Sequence, residues 1–150
     1  MNETIVTVRG YVGAEVSLRA AGEVDVASFR VAATPRRYSR RTESWSDAPT
    51  QWFTVSAWRG LAGNVATSLH TGDAVIVQGR LSLHSWTDSE GVEQTSYEID
   101  ADLVGHDLSK GTAVFTKPVR EPRAAPEEEA VQPADPVSDW RVPGGDSTAA

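Results

Sequence analysis

Apolar and polar positions alternate along five stretches of the first 110 residues. Thr4 to Val12 is rich in β-branched residues, Val26 to Thr34 and Trp52 to Trp58 alternate, and Ala74 to Trp86 and Thr95 to Val104 flank a turn-like Asp88-Ser89-Glu90-Gly91. One segment has helical period instead. Leu61, Val65 and Leu69 recur at four-residue spacing and then meet Gly72 as a stop. Five strands with one short helix between the third and the fourth is the order of a mainly β OB-fold, a five-stranded Greek-key barrel.

The same alternation predicts where the rings point. In the third strand Phe53, Val55 and Ala57 share the face that fills a small barrel, so Trp52, Thr54, Ser56 and Trp58 share the other. In the fourth, Val75, Val77, Leu81 and Leu83 read as inward, which leaves Gln78, Arg80, Ser82, His84 and Trp86 outward. Phe29, Val31 and Ala33 face inward in the second strand, with Arg30 outward. The stretch from Pro35 to Gln51 reads as a loop that carries Arg36, Arg37, Arg40 and Arg41 with Tyr38 and Trp45. On the first strand Ile5 and Tyr11 lend apolar character to the face opposite Val6, Val8 and Val12, more than a strand buried on one side needs. That face suits self-association.

Composition shifts near residue 111. Six of the eight prolines lie beyond it, together with Glu127-Glu128-Glu129 and an Ala/Pro/acidic mixture too poor in apolar residues to fold alone. We read 1–110 as the folded domain and 111–150 as a disordered, acidic, Pro-rich tail. The tail's one tryptophan, in Asp139-Trp140-Arg141-Val142-Pro143, reads as a stray ring before it reads as a docking motif.

Charge has to be read by segment, because a net charge of -7 runs against a basic nucleic-acid surface. Residues 1–110 carry 10 Lys+Arg against 14 Asp+Glu, and residues 111–150 carry 4 against 7. Neither part is basic. Yet Arg36, Arg37, Arg40 and Arg41 fall within six positions, and local clustering governs a local contact more than the sum does. Stacking a base on an aromatic ring is worth about 1–3 kcal/mol, so a few outward rings can hold a strand where phosphate neutralisation is weak.

Other chemistries find little support in the residues. The absence of cysteine excludes thiolate zinc sites, disulfides and cysteine nucleophiles. No run of about 18 apolar residues and no export signal is present, so a cytoplasmic protein without a membrane partner is expected. His70, His84 and His106 are too widely spaced to pair as ligands, and no phosphate loop or nucleophile motif occurs. Glu98, Asp100 and Asp102 alternate on the fifth strand and can be imagined around a divalent ion, but metal sites draw carboxylates from several elements. The solvated face of one strand is the plainer account, and neither a cofactor, a metal nor an enzymatic activity is expected.

Taken together, Thr34-Pro35-Arg36-Arg37-Tyr38, Trp45, the strand Gln51 to Trp58, the helix, the run from Leu69 to Leu81 and the hairpin with Trp86-Thr87-Asp88 resemble the bacterial single-stranded DNA-binding proteins, particularly actinobacterial forms. The resemblance covers residues 1 to about 110. It implies an OB-fold, usually a homotetramer, that wraps single-stranded DNA without sequence choice in replication, recombination and repair. By position it implies Tyr38, Trp52, Trp58 and Trp86 as base-stacking residues. Two departures stand out. Gly10-Tyr11-Val12-Gly13-Ala14 replaces the family's Asn-Leu turn after the first strand, and the chain ends Gly144-Gly145-Asp146-Ser147-Thr148-Ala149-Ala150 instead of in an acidic tip closed by Pro-Phe. The resemblance therefore does not carry recruitment of repair proteins through a tail tip to this chain, and it points to an auxiliary paralogue.

The expectation is sequence-independent binding of single-stranded DNA by a homotetramer, or failing that a homodimer. Trp52, Trp58, Trp86 and Tyr38 would stack bases, and Arg36, Arg37, Arg40, Arg41, Arg30 and Arg80 would meet phosphates. The competing readings are an OB-fold interaction module that has lost DNA binding, its rings closing the barrel or an interface, and a metal-dependent nuclease.

Overall fold

A computed structural model of the chain describes residues 2–119. The tail from residue 120 onward, with its acidic run and Trp140, lies outside the described residues. Eight strands and one helix follow in the order β1 (Ile5–Val12), β2 (Ser17–Ala21), β3 (Val24–Ala33), β4 (Arg36–Ser39), β5 (Ser44–Asp47), β6 (Gln51–Trp58), α1 (Gly60–Ser68), β7 (Ala74–Thr87) and β8 (Glu93–His106).

Six of these strands form one sheet in the order β1-β7-β8-β6-β3-β2, and β1 also pairs with β3 through Tyr11↔Ala32 and Val12↔Val31. That extra pairing closes the sheet on itself, so the barrel has the expected OB-fold form. The β6–β8 contact is parallel because α1 and β7 intervene, whereas the other pairings are antiparallel. The five strands read from the alternation are present. β2 adds a short strand at the sheet's edge, and the arginine segment read as a loop is a hairpin, with Tyr38↔Trp45 and Arg37↔Ser46 in register. No apolar alternation announces that hairpin, because all of its strand residues but Ser39 are exposed.

Small β-branched residues fill the barrel. Val12, Phe29, Val31, Val55, Val75, Val77 and Ile99 are buried, with Ala27 and Ala57 paired across β3 and β6. Burying each Val or Ile contributes about 1.5–3 kcal/mol. The helix plugs this core with Ala62 and Val65, followed by Leu69 just past its end, while Leu61 packs partly against it. Gly60 and Gly63 weaken α1 on its own, and no side chain caps its start, so burial of that face is what holds it.

Two departures from simple alternation matter for the outer surface. Between Gln78↔Leu103 and Gly79↔Ala101 the register shifts, leaving Asp102 as the extra residue of a β-bulge. Beyond it the faces exchange, so Leu103 is exposed and Val104 packs on the core, the reverse of what uninterrupted alternation predicts. The second departure is length. β7 and β8 run for 14 residues each, and their hairpin continues past the barrel wall, so Leu83 and Tyr97 are exposed although their phase is inward. Asp88 fixes the hairpin's tip, its carboxylate accepting from the Glu90 and Val92 N–H groups at 2.9 Å each and from the Gln94 amide at 3.0 Å. Those bonds, that of Gln94 foremost, hold its pKa below the ordinary carboxylate value.

Candidate nucleic-acid interface

The four rings singled out from the sequence all stand out from the protein. Trp52, Trp58 and Trp86 are 44%, 41% and 45% exposed, and Tyr38 is 49% exposed. Each is also held by a neighbour. An outward ring held in one orientation loses little freedom when a base stacks on it, which is what separates a platform from a loose side chain.

Trp52 and Trp58 occupy the two ends of the outer face of β6. Trp52 stands beside Arg30 of β3, whose guanidinium carbon is 4.6 Å from the ring centroid, a cation–π pair. Behind it lies Gly13, where a Cβ would sit 2.5 Å from the Trp52 Cζ3 atom. The residue after β1 thus has to be glycine for this ring to lie down. At the other end, Trp58 Nε1 donates to Asp100 Oδ1 at 3.4 Å. Its register neighbour Val26 is buried although it lies outside the core cluster.

The other two rings ride on hairpins. Trp86 stacks on His84, centroids 5.7 Å apart with 27° between the planes. Tyr38 lies against Trp45, 5.4 Å between centroids, and the Arg36 guanidinium lies 5.8 Å from the Trp45 centroid. Trp45 therefore belongs to the hairpin's own packing and holds Tyr38 in place. Tyr97, half exposed and 6.0 Å from Phe53, is an aromatic that the inward phase had hidden.

The basic side chains divide by partner. Arg37, Arg40 and Arg41 are exposed and form no ion pair with any described residue, whereas Arg36 makes a loose one with Asp47 at 3.4 Å. Among the described residues Arg30 is engaged with Trp52 alone. Arg80 is the most committed of the six: Nη1 lies 2.8 Å from Glu3 Oε1 and Nη2 3.8 Å from Asp100 Oδ2, and these carboxylates, Glu3 first, raise its pKa. Asp100 thus serves Trp58 and Arg80 at once. Among the described residues no three His, Asp or Glu side chains are placed to share an ion.

The arrangement is two rings on one strand, two more on hairpins, and, on the β4–β5 hairpin that carries Tyr38, three arginines that form no ion pair with any described residue. It offers flat π-faces and positive charge. Known proteins similar to this chain are named for single-stranded DNA binding. Single-stranded DNA-binding protein 2 of Streptomyces coelicolor is 47% identical over 116 residues, which is 77% of this chain but only 58% of that protein's length. The protein of the same name in Streptomyces avermitilis is 44% identical over 146 residues, 97% of this chain and 89% of its own. Among solved structures, the small single-stranded DNA-binding protein of Streptomyces coelicolor superposes with a TM-score of 0.66 at 39% identity, covering 74% of this chain and all of that one. The second such protein of Mycobacterium smegmatis gives 0.58 at 32% identity over 77% of this chain and all of that one. The profile of the Single-strand binding protein family matches residues 1–107, and the chain belongs to that family.

Proposed function

We propose that this chain binds single-stranded DNA without choosing sequence, as an auxiliary member of its family, by stacking bases on Trp52, Trp58, Trp86 and Tyr38. The observation that carries the reading is that outward, half-exposed tryptophans are each fixed by a different neighbour, Arg30, Asp100 or His84. Every base has a π-face, so such rings do not discriminate among sequences. Arg36, Arg37, Arg40, Arg41 and Arg30 meet phosphates, and Arg80 contributes less because two carboxylates already share it. No chemistry is performed on the strand.

The folded unit ends near residue 110, and it works as an oligomer, a tetramer before a dimer. Support for self-association is the outer face of β1, β7 and β8, where Ile5, Tyr11, Ile76 and Leu103 are exposed around the Thr7–Gln78 hydrogen bond. Exposed apolar side chains grouped on one sheet face mark an interface more often than free surface. A nucleoid location in the cytoplasm follows from the proposed ligand.

Competition tests the reading. A labelled dT oligonucleotide bound to the protein is challenged with unlabelled dA, dC and mixed single strands and with duplex of equal length. Single strands should displace the label within about tenfold of one another and duplex far less. Preference for duplex, or for one sequence by several orders of magnitude, would refute it.

A further inference from the structure

Arg59 directly follows β6 and caps α1 in a backbone conformation that suits glycine. Its φ of 58° and ψ of -130° lie in a region that residues with a Cβ avoid for steric reasons. The surroundings hold it there: the Arg59 N–H donates to the Asp25 carbonyl at 2.9 Å, and the Arg59 carbonyl accepts from the Ala62 N–H at 3.0 Å. A glycine stands one position later. Gly60 is not at positive φ, and a Cβ there would meet nothing within 4 Å. The order Arg-Gly is thus the reverse of what the backbone favours, and relief by exchange lies one residue away.

Strain kept where relief is that close calls for a use of the side chain. Arg59 is exposed, forms no ion pair or side-chain hydrogen bond with any described residue, and directly follows Trp58. We infer that Arg59 is a DNA-binding residue, its guanidinium meeting the phosphate beside the base that stacks on Trp58. The strained turn sets that charge at the end of β6, where an arginine continuing the strand would alternate to the other face. The inference rests on the single-stranded DNA reading above.

The test measures binding of full-length protein to a dT oligonucleotide across a salt series for the parent, Arg59→Gly, Arg59→Ala and Arg59→Lys, with urea unfolding of each. One lost phosphate contact lowers the slope of log affinity against log salt by about 0.7. Arg59→Gly and Arg59→Ala should both show that loss and Arg59→Lys should keep the parent slope, while Arg59→Gly unfolds at higher urea than Arg59→Ala. A parent that binds and an Arg59→Gly variant with the full slope would overturn this inference and leave the function standing. Equal unfolding midpoints for the Gly and Ala variants would overturn the argument from strain. A parent that binds no single strand would overturn both the inference and the function beneath it.

Discussion

The Arg30 guanidinium carbon lies 4.6 Å from the centroid of the Trp52 ring, on the neighbouring strand of the barrel's outer face. A stacking surface and a positive charge are thereby joined into one unit. Trp52→Ala should weaken binding to a dT oligonucleotide by about 1–3 kcal/mol with the salt slope unchanged, and Arg30→Ala should lower the slope by about 0.7. Because each substitution also removes the cation–π pair, the double variant should lose less than the two single losses together. Strict additivity in that cycle would mean the two side chains act apart.

Gly13 fixes the same ring from behind. A methyl group there would fall 2.5 Å from Trp52 Cζ3, tighter than real contacts allow, so the ring must swing away. Gly13→Ala should reduce affinity for single strands toward the level of Trp52→Ala and change the tryptophan emission of the free protein. Global stability should fall by less than about 1 kcal/mol, since the displaced side chain is a surface one. Unchanged affinity would show that the orientation of Trp52 does not matter.

Gly79 has the opposite character. Its missing side chain lets β7 pass the Asp100 carbonyl and the Ala101 backbone of β8 beside the bulge, and a Cβ would run into both. Backbone cannot turn away as a side chain can. Gly79→Ala should destabilise the fold by about 3 kcal/mol, at the upper end of overpacking costs, as read by urea unfolding. A loss under about 1 kcal/mol would mean the bulge relaxes freely.

Asp107 ties the end of the barrel to its beginning. The Ser109 hydroxyl first, and the Arg9 guanidinium after it, bring its carboxyl from 3.8 down to about 2. Its folded pKa thus lies below the unfolded one, so its contribution to stability is complete above the unfolded value and disappears as pH falls through about 2. In acid titrations followed by circular dichroism, the advantage of the parent over Asp107→Asn should be constant near neutrality and shrink between about pH 4 and pH 2. An advantage that persists at the acid end would assign the effect to something other than this carboxylate.

Strand phase was the most legible part of this protein. Trp52 and Trp58 could be placed outward because Phe53, Val55 and Ala57 had to face a core, and period two leaves no other choice within an unbroken strand. Leu103 and Val104 could not be placed, because one inserted residue, Asp102, exchanges the faces without any mark in the apolar pattern. Leu83 and Tyr97 have the right phase for a core that ends before it reaches them. The β4–β5 hairpin had no buried face to betray it. Partners were out of reach altogether: nothing in the spacing of Trp58 and Asp100, Trp52 and Gly13, or Arg80 and Glu3 announces that they meet.

The central claim is that these tryptophans are the surface on which unpaired bases lie. Titrating the protein with long oligo-dT at low salt, while following its tryptophan fluorescence, tests this most directly, because stacked indoles are quenched. The account predicts saturable quenching that shrinks in Trp52→Ala, Trp58→Ala and Trp86→Ala. An emission that stays unchanged at low salt would contradict it.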